Sequence, residues 1–377
     1  EVPKEKQKSI LESLGFTVSE KNNFFVITVP SFRPDIEGEA DIVEEILRIY
    51  GYDQIPLTNV SDHNTKKSVL SSELKSFYKI KRSIANTGYV EAITWSFMDE
   101  KIAKLLSSNA IKIKNPISAD LDVLRPSNIP NLLVAVNQNK SKMISSGKIF
   151  EVGPIFDEIL EDNQVNIATG IAYGHISGRN WNSSKKDFDV FAIKSDLMKI
   201  LNSLNVPITN LNYESISNKV FHPGKSSSLR IGKNIIANFG ELNPILLQSF
   251  DISNIVVAFE IFTETLAQFQ SKKISTKSAF DNNPFQNVER DFAFLLPKSI
   301  KANDIINKIK KVDKKIINKV SIFDVYEGER IDHDSKSIAI RVQLQPLEKT
   351  FSDEEIDSIS NQIIDLIITS FKASLRK

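Results

Sequence analysis

The chain has no cysteine among its 377 residues, and that absence removes several chemistries at once. There is no disulfide framework, no thiolate nucleophile and no cysteine-ligated zinc site. A chain without thiols suits a reducing compartment, and a cytoplasmic location is expected. Histidine is scarce as well. His63, His175, His222 and His333 lie far apart, with no two at metal-ligand spacing, and each reads as an ordinary surface or capping residue. No run approaches the roughly 18 consecutive apolar residues of a membrane span, so no membrane association is expected. Neither a signal peptide nor an initiator Met precedes Glu1-Val2-Pro3-Lys4, and the chain is expected to be a fragment of a longer polypeptide. Charge of one sign is not in excess. The 48 Lys+Arg against 47 Asp+Glu exclude a whole-protein basic field and leave only local patches as nucleic-acid contacts.

What is present is a concentration of acids, from Asp35 through Glu37, Glu39, Asp41, Glu44 and Glu45, leading into Ile46-Leu47-Arg48-Ile49-Tyr50-Gly51. From Asp41 on, apolar residues recur at 42, 46 and 49 and at 43, 47 and 50, which is helical spacing. Asp41, Glu44 and Glu45 are then neighbours on the polar face, with Asp35 on the loop before it. Like charges so spaced repel, by a few tenths of a kcal/mol per pair. A hard divalent cation such as Mg²⁺ would relieve them. A solvated face complementing the helix dipole would also account for them, and the residues alone leave both readings open.

The length suggests two or three domains, and the pattern divides into three stretches of α+β character. Residues 1–62 read as a helix–hairpin–helix unit: a helix over 4–14, strands at 16–18 and 24–29, then the acidic helix. Residues 58–68 read as a polar linker. Residues 69–275 open with a helix carrying Leu70, Leu74, Phe77, Ile80 and Ile84. Strands follow over 149–156, 167–173, 226–231, 235–239 and 255–261, with a helix over 188–204. This is an antiparallel α+β domain and not a series of βαβ units. Residues 283–377 run β-α-β-β-α with room for a last short strand, a ferredoxin-like βαββαβ order. Within them Ser352-Asp353-Glu354-Glu355 is a capping box opening a long helix.

Few motifs suggest catalysis. Phe221-His222-Pro223-Gly224-Lys225-Ser226 has the end of a phosphate loop, but Lys219 occupies the place of the first glycine, so a tight turn before a strand is expected. No Gly-x-Ser-x-Gly is found. Between Lys298 and Lys319, eight lysines stand against Asp304 and Asp313, a surplus of six. Lys308, Lys310, Lys311 and Lys314 are the candidates for phosphate contacts, though a solvated lysine face fits equally well. Phe323 and Tyr326 are candidates for base stacking. Strict alternation puts them on opposite faces, so at most one is expected to face RNA, and Tyr326 is the candidate kept.

Pro30-Ser31-Phe32-Arg33-Pro34-Asp35, followed by the run from Glu39 through Tyr52-Asp53-Gln54-Ile55-Pro56, resembles the B5 domain of bacterial phenylalanine–tRNA ligase beta subunits. Leu124-Arg125-Pro126-Ser127-Asn128, Phe150-Glu151-Val152-Gly153 and Phe221 to Ser226 resemble the class II synthetase-like core of the same subunits. Val288 to Phe294, Phe323 to Gly328, Lys336 to Ala339 and Thr350 to Glu355 are similar to their ferredoxin-like anticodon-binding domain. The resemblance covers essentially the whole chain and implies the C-terminal half of such a subunit, without the N-terminal tRNA-binding and editing parts. It implies that Asp35, Asp41, Glu44 and Glu45 hold Mg²⁺ at a site shared with the alpha subunit. Pro34 stands where the family usually has Phe. It also implies partnership with that alpha subunit in an α2β2 assembly, binding of tRNA(Phe), and ATP bound as a substrate in alpha. The residues agree that catalysis lies elsewhere: a class II enzyme grips ATP with arginines, yet Phe150 is followed by Glu151 and Val152, and Phe259 to Thr263 offers neither glycine nor arginine. Two alternatives remain, a self-contained ATP-dependent ligase and an assembly scaffold with no RNA contact.

Overall fold

Ile10 and Leu11, one turn from the chain's first strand, bury the inner face of α1 (Lys4–Ser13). A hairpin follows, β1 (Thr17–Lys21) and β2 (Phe24–Thr28), registered so that Lys21 faces Phe24. Its two-residue turn, Asn22-Asn23, has φ of 51° and 68°, the left-handed pair that matches hairpin twist and that asparagine tolerates. Helix α2 (Glu39–Tyr50) adds Ile46 to a small core of Ile10, Leu11, Phe16 and Val18. These elements belong to the first of two compact units, Glu1–Ser71 and Ser72–Lys377. They are seen in a computed structural model that describes residues 1–57, 70–159, 164–178, 180–182, 184–216, 218–269, 283–329 and 331–376. The expected linker over 58–68 lies outside the described residues.

The second unit begins with α3 (Ser72–Ala85), the short strands β3 (Val90–Glu91) and β4 (Phe97–Met98), α4 (Glu100–Leu106), β5 (Val123–Leu124) and α5 (Ile129–Ser141). It continues through β6 (Gly147–Phe156), β7 (Gln164–Tyr173), β8 (His175–Ser177), β9 (Lys186–Asp187), α6 (Val190–Ser203), β10 (Asn212–Glu214), β11 (Phe221–Ile231), β12 (Asn234–Leu242), α7 (Pro244–Gln248), β13 (Val256–Phe262) and α8 (Thr263–Phe269). Seven strands join in the order β10-β11-β12-β13-β7-β6-β3. All pair antiparallel except β3 with β6. Alternation along each strand feeds two cores, one on each face. Val257, Phe259 and Ile261 pack with α3, α6 and α8. Val256 and Ala258 pack with Leu132, Leu133 and Val136 of α5 and Leu246 and Leu247 of α7. The expected tight turn at Phe221–Ser226 is instead part of β11. The register between Phe221 and Ser226 slips against β12, a bulge that holds the Pro-Gly pair inside a strand.

The last stretch forms β14 (Val288–Pro297), α9 (Ala302–Ile309), β15 (Ile317–Tyr326), β16 (Ser335–Leu344), α10 (Asp353–Phe371) and β17 (Ser374–Leu375). The sheet order β15-β16-β14-β17 is the ferredoxin arrangement, closed by the short final strand. Phe292, Phe294, Ile338, Ile340 and Val342 point to one face, where Ile305 and Ile309 of α9 and Ile363 and Ile367 of α10 cover them. Ser352 and Glu355 exchange the two hydrogen bonds of the expected capping box.

Candidate functional site

The acidic helix is electrically closed from within. Arg33, on the loop before α2, lays its fork on Asp35, with Nε donating to Oδ1 at 3.0 Å and Nη2 to Oδ2 at 2.7 Å. Its third nitrogen, Nη1, donates to Glu45 Oε2 at 2.8 Å, and Arg48 Nη2 reaches the same oxygen at 2.7 Å. Glu45 is only 6% exposed. It was expected on the solvated face, but its two guanidinium partners let it turn inward beside Ile46, while Val43 and Ile49 stand half-exposed instead. Hydrogen bonds from Arg33 and then Arg48 hold the Glu45 carboxyl down at about 2. Asp35 is lowered by the same Arg33 fork. Asp41 Oδ2 accepts the backbone N–H groups of Glu37 and Gly38, both at 2.9 Å, and so serves the start of α2. Glu44 is exposed.

Carboxylate oxygens are the right donors for Mg²⁺. As placed, however, Asp35, Asp41, Glu44 and Glu45 turn to different partners, and among the described residues no group of three or more acids or histidines is gathered to hold a metal ion. Two of the four acids have counter-charges within the chain: Arg33 serves Asp35 and Glu45, and Arg48 serves Glu45. The four side chains do not fit a cation in this arrangement.

On the α5-covered face of the large sheet, cross-strand partners form one transverse row of polar residues: Ser228, Asn238, Glu260, Thr169 and Glu151. All five are buried. Glu151, which the sequence singles out where a class II enzyme would want arginine, meets an arginine from elsewhere. Arg125 Nη1 donates to its Oε1 at 2.8 Å, with both groups nearly fully buried. The other Arg125 donors go to Pro154 O and Thr94 Oγ1, both at 2.9 Å. Gly153 makes this possible, since a Cβ there would lie 2.7 Å from Arg125 Nη2. Ser127 Oγ donates to Glu260 at 3.1 Å. This face of the sheet is thus filled by the chain's own side chains. The sequence around Arg125 does not reveal this role, since nothing local to it signals a partner 26 residues away.

The C-terminal sheet offers the opposite case, an open face. Glu289, Asp291, Lys319, Ser321, Phe323, Arg341 and Gln343 lie on the side away from α9 and α10. Strict alternation fails in β15 because the register shifts between Ile322 and Asp324. The extra residue, Phe323, and Tyr326 therefore share the open face, correcting the expectation that at most one would. Arg341 stands over the Phe323 ring at 5.5 Å, and Arg376 over Tyr326 at 5.7 Å. Arg341 also grips Asp291 through two hydrogen bonds of 2.8 and 2.7 Å, which lowers the Asp291 carboxyl below its usual range. Tyr326 lies across Gly328, where a Cβ would sit 2.5 Å from its hydroxyl. The lysines Lys308, Lys310, Lys311 and Lys314 are on α9 and the turn after it, on the helical side of the layer. Lysines and aromatics therefore do not form one surface. Of the histidines, His175 pairs with Asp187 at 2.6 Å and His222 Nδ1 accepts from Gly224 N. His63 lies outside the described residues.

A mixed α/β chain with a ferredoxin-type anticodon-binding domain is the class of the aminoacyl-tRNA synthetases, and family comparisons agree. Residues 1–52 match the tRNA synthetase B5 domain, 55–263 the phenylalanyl-tRNA synthetase beta chain CLM domain, and 283–376 the ferredoxin-fold anticodon-binding domain. The chain belongs to the phenylalanyl-tRNA synthetase beta chain family. It is 35% identical over 97% of its length to the phenylalanine–tRNA ligase beta subunit of Mesorhizobium japonicum, covering 46% of that protein. The corresponding subunits of Rhodospirillum rubrum and Bartonella henselae are 34% and 36% identical over 97% and 100% of the chain, with 46% and 48% of those proteins covered. The chain thus spans just under half the length of these curated relatives. A pyrrolysyl-tRNA synthetase structure from Desulfitobacterium hafniense superposes with a TM-score of 0.44 at 13% identity, over 72% of this chain and 92% of that one. Among the described residues no helix is long and apolar enough to cross a membrane.

Proposed function

We propose that this chain is the non-catalytic, C-terminal part of a phenylalanine–tRNA ligase beta subunit. Its work is to scaffold a catalytic alpha subunit and to hold tRNA(Phe) while alpha attaches phenylalanine at the expense of ATP. The domains of this reading are a B5 unit over 1–62, a class II-like core over 69–275 and the anticodon-binding domain over 283–377. The assembly would be α2β2 and cytoplasmic, with ATP bound in alpha.

The observation that carries the reading is the contrast between two sheet faces. The core's α5-covered face is closed by the Arg125–Glu151 pair and its polar row, which supports a core without substrate sites. The open face of the C-terminal sheet carries Phe323 and Tyr326, 57% and 37% exposed, each with a guanidinium above it. Unpaired bases stack on such rings, and guanidinium groups meet the flanking phosphates. Tyr326 is the first residue proposed for tRNA contact, with Phe323 beside it. Lys308, Lys310, Lys311 and Lys314 can add only sequence-blind phosphate attraction from the other side. The test is co-purification with an alpha subunit, then aminoacylation with and without residues 283–377. Full activity after the deletion would leave an assembly scaffold, and ATP turnover by this chain alone would make it a ligase in its own right.

A further inference from the structure

We propose that the core carries a second RNA contact, formed by the β8–β9 hairpin and the turn after α5. Trp181 stacks on an unpaired base while Lys142, Lys185 and Lys186 meet the flanking phosphates. The contact presupposes that the chain holds tRNA, as read above, and is separate from the Phe323 and Tyr326 face. Charge first sets this surface apart. The chain as a whole is balanced, yet residues 137–149 and 170–186 together carry six Lys or Arg and no Asp or Glu. Of the six, Lys148 is spent on Asp196 at 2.6 Å. Lys140, Lys142, Lys185 and Lys186 have no ion pair among the described residues, and the last three are exposed. The next acid along the chain, Asp187, is already hydrogen-bonded to His175. The fold brings the two segments together. Gly147 pairs with Tyr173 across β6 and β7, and Asn139 Nδ2 donates to the Tyr173 hydroxyl at 2.9 Å. Gly174, with φ of 77°, passes so close to Ser145 that no Cβ would fit. The turn over 142–146 and the hairpin that leaves β7 therefore make one basic end of the sheet.

Trp181 stands at the tip of that hairpin and is 96% exposed, more than any other aromatic side chain among the described residues. Its backbone is braced on both sides. Asn180 Nδ2 donates to Gly178 O at 3.3 Å, and Asn180 Oδ1 accepts the N–H of Asn182 at 2.9 Å. A ring presented on a braced turn loses little freedom on binding. Stacking on it is sequence-tolerant, since every base offers a π-face. The residues around the ring favour RNA over a protein partner. Asn180, Asn182 and Ser184 give it no apolar surround of the kind that shuts water from a protein hot spot. The exposed Met143, Ile144 and Ile176 are set among lysines and serines, the residues in which protein interfaces are depleted.

The test measures tRNA(Phe) binding across a salt series by the complex of this chain with an alpha subunit. Trp181→Ala should weaken binding about tenfold, and Trp181→Phe should recover part of the loss. Lys185→Ala with Lys186→Ala should lower the slope of log affinity against log salt by about 1. Both effects should persist in a Tyr326→Ala background, which distinguishes the two RNA surfaces. The substituted side chains are exposed, so the variants should fold as the parent does. Parent affinity in Trp181→Ala, with the Tyr326→Ala effect intact, overturns this contact and leaves the tRNA reading standing. No affinity in the parent complex overturns both. Weaker association with alpha in place of weaker tRNA binding would assign the hairpin to a protein partner and overturn the proposal. So would a Trp181 emission shift, read in a Trp95→Phe background, that anionic phosphatidylserine vesicles produce and tRNA does not.

Discussion

Arg33 governs the first unit because it is the cation on which two acids depend. Replacing it by Gln leaves Glu45 buried with Arg48 as its single partner and releases Asp35. Losing one of its two guanidinium partners should destabilise the ionised Glu45, with Arg48 limiting the loss. The measurement is thermal unfolding of the chain with and without EDTA. Arg33→Gln should lower the midpoint of the first unit, and chelation should leave the parent unmoved, since Asp35 and Glu45 already have counter-charges. Glu260 makes a separate prediction for stability. Its carboxyl is raised from 4.5 to about 7 by folding, so the native state binds the extra proton. Stability then falls as pH rises from about 4.5 to about 7 and is level above. Glu260→Gln should match the parent near pH 4.5 and exceed it at pH 8, by at most ~3 kcal/mol, as read from denaturant midpoints at the two pH values. Gly153→Ala should cost the core stability by driving a methyl group into Arg125; a neutral result would mean that Arg125 can shift away.

At the scale of elements, what was legible in the sequence followed periodicity and punctuation. The helices over α1, α3, α6 and α10 announced themselves by three- and four-residue spacing and by Ser352 and Glu355 at the last cap. The ferredoxin order was readable because Ile338, Ile340, Val342 and Leu344 alternate cleanly. Where the reading failed, a bulge or a distant partner had overruled local pattern. Phe221 to Ser226 contains Pro and Gly, yet lies in a strand because β12 pairs on both sides of its bulge. Phe323 shares a face with Tyr326 for the same reason. Glu45 broke the polar face of α2 because Arg33, 12 residues earlier, is folded onto it. The bulge in β15 carries its own prediction: Tyr326→Ala and Phe323→Ala should each weaken tRNA binding by about 1–3 kcal/mol if a base stacks on the ring. Alanines at Lys308, Lys310, Lys311 and Lys314 should instead flatten the dependence of affinity on salt. Filter binding across a salt series separates the two, and unchanged affinity in the aromatic variants would mean that tRNA does not stack on the open face.

For the whole molecule, the contrast between a sealed sheet and an open one predicts a division of labour. In complex with an alpha subunit, removal of residues 283–377 should raise the KM for tRNA while leaving phenylalanine activation, measured by pyrophosphate exchange, intact. Loss of activation would mean that this region also supports the catalytic chain. The transverse row in the large sheet has a consequence for how the molecule reaches its structure. Two of its neighbouring strands are distant in sequence, β7 pairing β13, and such a long-range pairing is slow to form and open to sliding. A slide of two residues would preserve every inward-facing position, so aliphatic burial alone would hardly notice it. It would also set Glu260 or Glu151 opposite Ile171 or Ile167, stranding a carboxyl among hydrocarbons. The row therefore acts as a checksum on assembly: only one alignment of five strands lets every polar side chain find its neighbour.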